Sequence, residues 1–118
     1  MTLPEFVEGY APLPGKYEYW DGVPVLMADD TACHALIGVN IVSALRDKLR
    51  ATGCAPFNSD TMLRVGADNA RLPDAAIYCD PRDLADPSAL AFERPCVVFE
   101  ILSPSTARMD RGARLITR

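Results

Sequence analysis

The sequence predicts an α/β domain, and three observations support this fold class. A periodic segment over residues 30–53 has the spacing of a long helix. Short runs rich in apolar and β-branched residues follow it over residues 55–102, bounded by Pro, Gly and Asp, and have the length of strands. With 118 residues, of which 49% are apolar, the chain has enough mass for one domain with a single hydrophobic core.

The N-terminal segment is predicted to hold a short helix followed by a hairpin. Thr2 and Glu5 fit the Ser/Thr-x-x-Glu capping box, so a helix should begin there. The Pro- and Gly-rich stretch GYAPLPG is a connector. In KYEYWDGVPVLM, two alternating apolar runs flank the pair Asp21 and Gly22, which is typical of a hairpin turn.

The segment over residues 30–53 is the clearest helix. Asp30 or Thr31 can cap its start, and Gly53 stands where a C′ glycine would follow its end. Its main apolar residues are spaced to lie near one face: Leu36, Ile37, Ile41, Leu45 and Leu49.

After the helix the pattern changes to strands. APFNSDTMLRVG predicts one or two, RLPDAAIYCD another, and CVVFEIL the central strand, after a proline-bounded loop with one helical turn. SPSTARMDRGARLITR is predicted to begin a second helix after Pro104, with Thr106 as its cap. Because nothing follows this helix, we expect a sheet truncated at its C-terminal end. An uncovered edge or face of this kind favours self-association, so we expect a homodimer.

Composition excludes several classes of protein. No apolar run approaches the ~20 residues that cross a bilayer, so we expect no membrane association. The acidic N-terminus lacks the apolar core of a secretory signal, and we expect a cytoplasmic location. The four cysteines, which form no Cys-x-x-Cys pair, are interpreted as small buried hydrophobes in a reducing compartment.

The net charge of −4 is unevenly distributed along the chain. Residues 1–103 carry a balance of −7, whereas residues 104–118 carry four arginines against one aspartate, a balance of +3. An acidic chain is not an obvious nucleic-acid binder. A local arginine cluster beside an acidic site is still compatible with such binding, because steering depends on the local field.

Two carboxylates stand in apolar company, Asp74 in LPDAAIYC and Glu100 in VVFEIL. An ionised carboxylate taken out of water without a partner costs several kcal/mol, so Glu100 needs a proton, a cation, a metal or a position at a strand end. Since the two predicted strands are consecutive, their acids can share a hard divalent cation such as Mg²⁺. The structural alternative, in which both acids pair with arginines such as Arg71 or Arg114, stays equally open on the residues alone.

Other polar and aromatic residues receive plainer interpretations. His34 lies in the first turn of the long helix, and a solvated or capping role is favoured over metal ligation. Tyr17, Tyr19 and Trp20 are interpreted as cross-strand packing rather than as a stacking platform for bases. The basic residues near the end of the long helix are interpreted as a solvated face: Arg46, Lys48 and Arg50.

Several motifs occur together in one order: YEYWDG, the lone His34 opening the long helix, LPDAAIYCDP and VVFEILSPSTARMDRGARL. In this arrangement the chain resembles the Uma-type "putative restriction endonuclease" family, a domain-of-unknown-function family within the PD-(D/E)xK nuclease superfamily. The resemblance covers essentially the whole chain, and FEILSPST…DRGARL is its most specific part. It implies a restriction-endonuclease-like mixed sheet flanked by helices and Mg²⁺-dependent hydrolysis of DNA phosphodiesters.

The same resemblance implies a set of site residues. Asp74 would be the acid of the PD motif, and Glu100 would be the acid of the (D/E)xK motif. Glu18 would be a third acid that completes the site. With the carbonyl of Ile101, these acids would hold one or two Mg²⁺ ions, or Mn²⁺, that orient and activate a water.

The chain departs from the family pattern in two respects. Leu102 stands where the motif has its lysine, and Arg114 occupies the place from which a lysine can arrive on the following helix. Arginine stabilises phosphate charge but does not deprotonate to act as a base. The family domain ordinarily continues with further strands, so the chain resembles roughly its first two-thirds.

Three hypotheses follow from these observations. The first is a metal-dependent DNA endonuclease with its site at Asp74 and Glu100. The second is a catalytically weak or inert truncated protein of the same fold that acts by binding or self-association. The third is an ordinary α/β domain whose two acids are structural. Metal-dependent strand scission separates the first two, and the third requires that Asp74 and Glu100 do not converge.

Overall fold

The structure is a computed structural model that describes residues 1–102 and the backbone of residues 113–117. In these ranges it has three helices, α1 (Leu3–Tyr10), α2 (Ala32–Lys48) and α3 (Pro81–Leu84). The strands are β1 (Tyr17–Trp20), β2 (Val23–Leu26), β3 (Ala55–Asn58), β4 (Met62–Val65), β5 (Asn69–Arg71), β6 (Ala75–Tyr78), β7 (Ala91–Phe92), β8 (Pro95–Ile101) and β9 (Ala113–Thr117).

The described strands form two sheets. The first has the order β2-β1-β5-β4-β7 and is mixed, because β7 runs parallel to β4 while the other pairs are antiparallel. The second has the order β3-β6-β8-β9 and is antiparallel throughout. Mixed strand directions together with flanking helices confirm the predicted α/β class.

Local signals in the sequence set the N-terminal elements. The Thr2 hydroxyl accepts a hydrogen bond from the Glu5 N–H at 3.3 Å, and the Glu5 carboxylate accepts one from the Thr2 N–H at 2.8 Å. This capping box confirms the predicted start of α1, and its hydrogen bonds lower the pKa of Glu5. The helix buries Phe6 against Tyr19 of β1, with ring centroids 4.7 Å apart.

The hairpin of β1 and β2 turns where the sequence predicts. Asp21 has φ +48° and Gly22 has φ +85°, and two successive positive values are the signature of a type I′ turn. Tyr19 packs on Phe6 and Tyr17 packs on Tyr10, so both tyrosines are packing residues, but their ring partners lie on α1 and not on the neighbouring strand as predicted. Because side chains alternate along a strand, Glu18 lies on the other face of β1 from both tyrosines.

Helix α2 lies over the second sheet, against β3, β6 and β8. Thr31 caps it, as predicted, by accepting the backbone N–H of His34 at 3.2 Å. The helix ends at Lys48 with Leu49 as C-cap, so the prediction that Gly53 is its C′ residue is wrong. No residue of α2 is fully buried, and Leu36 of its predicted apolar face is 60% exposed.

Strands β6 and β8 pair as the sequence predicts. Ala76 lies opposite Val98, and β8 has a paired strand on each side. Ala76, Tyr78 and Val98 pack against side chains of the first sheet, Leu63 and Phe92, and so form the core between the two sheets.

The predicted C-terminal helix is wrong for the part of it that the structure describes. Residues 113–117 form β9, which pairs antiparallel with β8 and places Arg114 opposite Glu100. The other residues of the predicted helix, including Pro104 and its cap Thr106, lie outside the described residues. Pairing with the edge of β8 is a long-range contact, and such contacts override a local helix preference. The second sheet therefore continues beyond β8 with one further strand.

The cysteines also differ from the prediction. Cys54 and Cys79 form a disulfide, whereas Cys33 and Cys96 are free and exposed rather than buried. Ala55 lies opposite Tyr78 in the β3–β6 ladder, so Cys54 and Cys79 are the next pair along it. A pairing of this kind depends on strand register, which the spacing of the cysteines does not reveal.

Among the described helices, none combines the length and the apolar character needed to cross a membrane.

Candidate metal centre

Helix α2 and strands β6 and β8 of the second sheet border one cavity of about 410 Å³. The first turn of α2 contributes His34, the residue before β6 is Asp74, and the end of β8 contributes Ile101. Asp30 lines the same cavity from just before α2. The fold thus brings together polar groups from positions 30 to 101 of the sequence.

Asp74 is held in place by the neighbouring strand. Its Oδ2 accepts a hydrogen bond from the backbone N–H of Ile101 at 2.6 Å, and the side chain is 16% exposed. Asp74 directly precedes β6, so it lies at the strand end, where a side chain can turn toward a cavity. One backbone donor therefore fixes the carboxylate and leaves its other oxygen, Oδ1, directed at His34.

His34 has oxygen atoms beside both ring nitrogens. Its Nε2 lies 3.3 Å from Asp74 Oδ1 and 3.2 Å from the carbonyl oxygen of Ile101. Its Nδ1 lies 3.4 Å from Asp30 Oδ2, one helical turn away. The imidazole is 12% exposed, so this environment is largely shielded from solvent.

This arrangement has the chemistry of a cation site. Ligand atoms of Asp30, His34 and Asp74 all lie within 4.8 Å of one another. Adjacent ligands of one small divalent ion are about 3 Å apart, given metal–oxygen distances near 2.1 Å. Asp30, His34 and Asp74 thus form a candidate site for a divalent ion, with carboxylate and imidazole ligand atoms grouped at one cavity.

The structure places the other predicted residues of this region as follows. Glu100 is a half-buried residue of β8, directly before Ile101. The β6–β8 ladder ends with Ala75 opposite Phe99, so Asp74 directly precedes the paired residues, and Glu100 does not line the cavity that Asp74 and Ile101 line. The backbone of Arg114 lies opposite Glu100 on the other side, in a strand and not in the helix that the sequence predicts.

Glu18 lies in a different environment, on β1 of the first sheet. Its Oε2 accepts the backbone N–H of Leu72 at 2.7 Å, and its Oε1 accepts the indole N–H of Trp20 at 2.7 Å. Arg71 Nη1 is 3.7 Å from the same Oε1. Each oxygen thus has a donor, which gives Glu18 a structural role. That it also completes the metal set stays a prediction.

The sequence does not predict two members of the cluster as metal ligands. Asp30 and His34 are spaced i, i+4 beside the Thr31 cap, and this spacing places both on one helix face. The sequence does not show that this face meets Asp74, because the contact depends on how α2 packs on β6 and β8. On the sequence alone, a solvated or capping role for His34 is favoured for a different reason, because a neutral imidazole suits softer ions than Mg²⁺.

Comparison with known proteins places this geometry in context. Residues 3–117 match the Uma2 family, described as "Putative restriction endonuclease". The chain is 35% identical over 100 residues, 84% of its length, to the uncharacterized protein slr1290 of Synechocystis sp. (strain ATCC 27184 / PCC 6803 / Kazusa). It covers 52% of that relative, so it spans about half the relative's length.

A solved structure shares the fold. The crystal structure of "a putative nuclease belonging to DUF820 from Anabaena variabilis ATCC 29413" matches with a TM-score of 0.70 at 23% sequence identity. The match covers 92% of this chain and 62% of the other. At this level of identity the likeness supports the fold alone, and it confirms the predicted nuclease-like architecture.

Proposed function

The chain belongs to the Uma2 family, and from this premise we propose that it is a metal-dependent endonuclease that hydrolyses phosphodiester bonds of DNA. One observation carries the proposal: Asp74, the carbonyl of Ile101 and His34 converge with Asp30 at one cavity. Family membership alone supports a nuclease-like fold but does not locate a catalytic site in this chain. The convergence of these groups supports the proposal that a metal ion binds at this cavity and that phosphodiester hydrolysis takes place there.

Four groups would hold the ion: the carboxylates of Asp74 and Asp30, the imidazole of His34 and the carbonyl of Ile101. Glu100, the other acid of the proposed site, is next to Ile101 on β8. A bound divalent ion supplies an activated water and stabilises charge that develops on the phosphate. We propose Mg²⁺ or Mn²⁺, and the imidazole favours Mn²⁺ of the two, because nitrogen ligands suit transition metals better than Mg²⁺.

The residues of the chain position these groups before any substrate arrives. The Ile101 N–H orients Asp74, and the Thr31 cap fixes the helical turn that carries His34. Preorganised donors of this kind need little rearrangement during the reaction. Arg114 is proposed to stabilise phosphate charge from β9, in place of the lysine that Leu102 replaces. Assembly as a homodimer in the cytoplasm is part of the same proposal.

A plasmid nicking assay tests the proposed function. The wild type is compared, with Mn²⁺ or Mg²⁺, with Asp74→Asn and with a matched control, Asp68→Asn. Asp68 is exposed and does not line the cavity, so Asp68→Asn removes the same charge at a position away from the proposed site. We expect nicking by the wild type and the control and its loss in Asp74→Asn. Absence of nicking in the wild type, or equal nicking by Asp74→Asn, would overturn the proposal.

A further inference from the structure

Lys16 lines the cavity that also holds Asp30, His34 and Asp74. It enters from the segment before β1, whereas the metal-binding groups come from α2, β6 and β8. The side chain is 42% exposed, so its ammonium group is accessible to a ligand. Lys16 is one of only two lysines in the sequence, and the other, Lys48, is exposed and outside this cavity.

The backbone of Lys16 is anchored by the hairpin. Its carbonyl accepts the N–H of Met27 at 2.8 Å, which extends the β1–β2 ladder by one residue beyond the Tyr17–Leu26 pair. Gly15, with φ +88°, turns the chain into this position, a conformation that favours glycine. The base of the side chain is therefore fixed relative to the sheet.

The ammonium group of Lys16 retains hydrogen-bonding capacity. Its Nζ donates to the hydroxyl of Ser59 and lies 3.8 Å from an oxygen of Asp60. Asp60 is 77% exposed, and an ion pair that is this long and exposed contributes little. A lysine has three N–H donors, so these two contacts leave donor capacity for a ligand in the cavity.

Lys16 is at the metal-binding end of α2. Together with Asp30 it also lines an adjoining cavity with Asp29 and Asp60, and this places it beside the start of the helix. Arg46, the other cation of the main cavity, is twelve residues after His34 on α2, about 18 Å along the helix axis. Lys16 is therefore the better placed of the two to meet a group bound at the cluster.

We propose that Lys16, held by Ser59, contacts a non-bridging phosphate oxygen of the DNA strand that is to be cut. The inference rests on the proposed function and adds a substrate-binding residue to it. A phosphodiester entering a cavity lined by Asp30 and Asp74 meets repulsion unless cations balance the charge. The metal supplies part of that balance, and Lys16 supplies a compact point charge suited to a phosphate oxygen.

Lysine footprinting on the wild-type protein gives the first test and needs no variant. The protein is acetylated with and without a DNA duplex, with Ca²⁺ in place of Mn²⁺ to limit cutting, and the two lysines are quantified by mass spectrometry. We expect DNA to protect Lys16 several-fold and to leave Lys48 unchanged. Equal modification of Lys16 in both samples would overturn the inference.

Binding measurements with matched variants give the second test. Fluorescence anisotropy of a labelled DNA duplex is followed across a salt series for the wild type, Lys16→Gln and Lys48→Gln. Loss of one phosphate contact lowers the slope of log K against log salt by about 1. We expect this reduction in Lys16→Gln only, and Lys16→Arg should restore the wild-type slope because it keeps the charge.

The outcomes separate this inference from the proposed function. If the wild type nicks DNA and the two Gln variants have equal slopes, Lys16 does not contact the phosphate, while the nuclease proposal stands. If the wild type neither binds nor nicks DNA, both proposals are overturned, because Lys16 then has no phosphodiester to contact.

Discussion

Two largely buried carboxylates, Glu18 in the first sheet and Asp74 at the second, differ in what surrounds them. Their side chains are 11% and 16% exposed, so burial hardly distinguishes them. Glu18 has an N–H donor on each oxygen, from Leu72 and Trp20. Asp74 has one backbone donor on one oxygen, and its other oxygen faces His34 at the cavity.

The difference gives a criterion for separating a structural acid from a candidate metal-binding acid. A buried carboxylate whose oxygens both accept hydrogen bonds has its charge stabilised by the fold itself. Asp74 instead has one backbone donor on Oδ2, and its Oδ1 lies 3.3 Å from an imidazole nitrogen that is also 3.2 Å from the carbonyl oxygen of Ile101. The donors around each oxygen, more than the burial of the residue, support the proposal that Asp74 is the metal-binding acid.

The largest expected effect is on catalysis. Asp74→Asn should lower the rate of plasmid nicking by about 10²-fold to 10³-fold, the usual cost of removing one group that stabilises a transition state. Glu18→Gln, if it stays folded, should keep most of the activity. Rates with saturating Mn²⁺ measure both. Loss of nicking in a folded Glu18→Gln protein would contradict this distinction and would indicate that Glu18 is itself a metal ligand.

For the free energy of unfolding we expect the opposite order, with a larger loss in Glu18→Gln than in Asp74→Asn. Glu18→Gln should lower the free energy of unfolding by about 1–3 kcal/mol, because the N–H donors of Leu72 and Trp20 lose a charged acceptor. Asp74→Asn should cost less in metal-free buffer, since it removes one of two carboxylates beside His34. Urea denaturation in EDTA measures both values. A greater loss in Asp74→Asn than in Glu18→Gln would contradict the structural assignment of Glu18.

A further prediction concerns the imidazole of the cluster. His34→Gln should weaken Mn²⁺ binding by at least the ~10-fold to 100-fold that loss of an outer ligand partner costs. It should also reduce the preference for Mn²⁺ over Mg²⁺, because the nitrogen ligand is gone. Calorimetric titration of both metals gives the affinities. An unchanged Mn²⁺ affinity would show that His34 is not a ligand.

The smallest effect tests what holds Glu18. Arg71 is 41% exposed and 3.7 Å from the Glu18 carboxylate, so the ion pair should contribute less than about 1 kcal/mol. Arg71→Gln should therefore lower stability far less than Glu18→Gln in the same urea experiment. Equal losses would mean that the charge pair, and not the N–H donors, stabilises Glu18.

Features set by neighbouring residues could be predicted from the sequence. The capping box of Thr2, the turn at Asp21 and the start of α2 at Thr31 each depend on a few adjacent positions. The pairing of β6 with β8 also followed, because both strands carry strong apolar signals and are consecutive among the predicted strands. The position of Asp74 beside a predicted strand follows from the same local patterns.

Features set by long-range contacts could not be predicted. β9 forms by pairing with β8, although the segment before it has the residues of a helix start. The Cys54–Cys79 disulfide follows from the register of β3 and β6. His34 and Lys16 reach the cavity only through the packing of α2 and the hairpin, so their importance depends on tertiary geometry that local patterns do not contain.

The contacts of Trp20 have an optical consequence. It is the only tryptophan of the chain, its indole N–H donates to Glu18, and the Arg71 guanidinium lies 4.9 Å from its ring centroid. Indole emission therefore originates from a single place, where a negative and a positive group both adjoin the ring. The intrinsic fluorescence of the unlabelled protein is thus a selective reporter of order around β1.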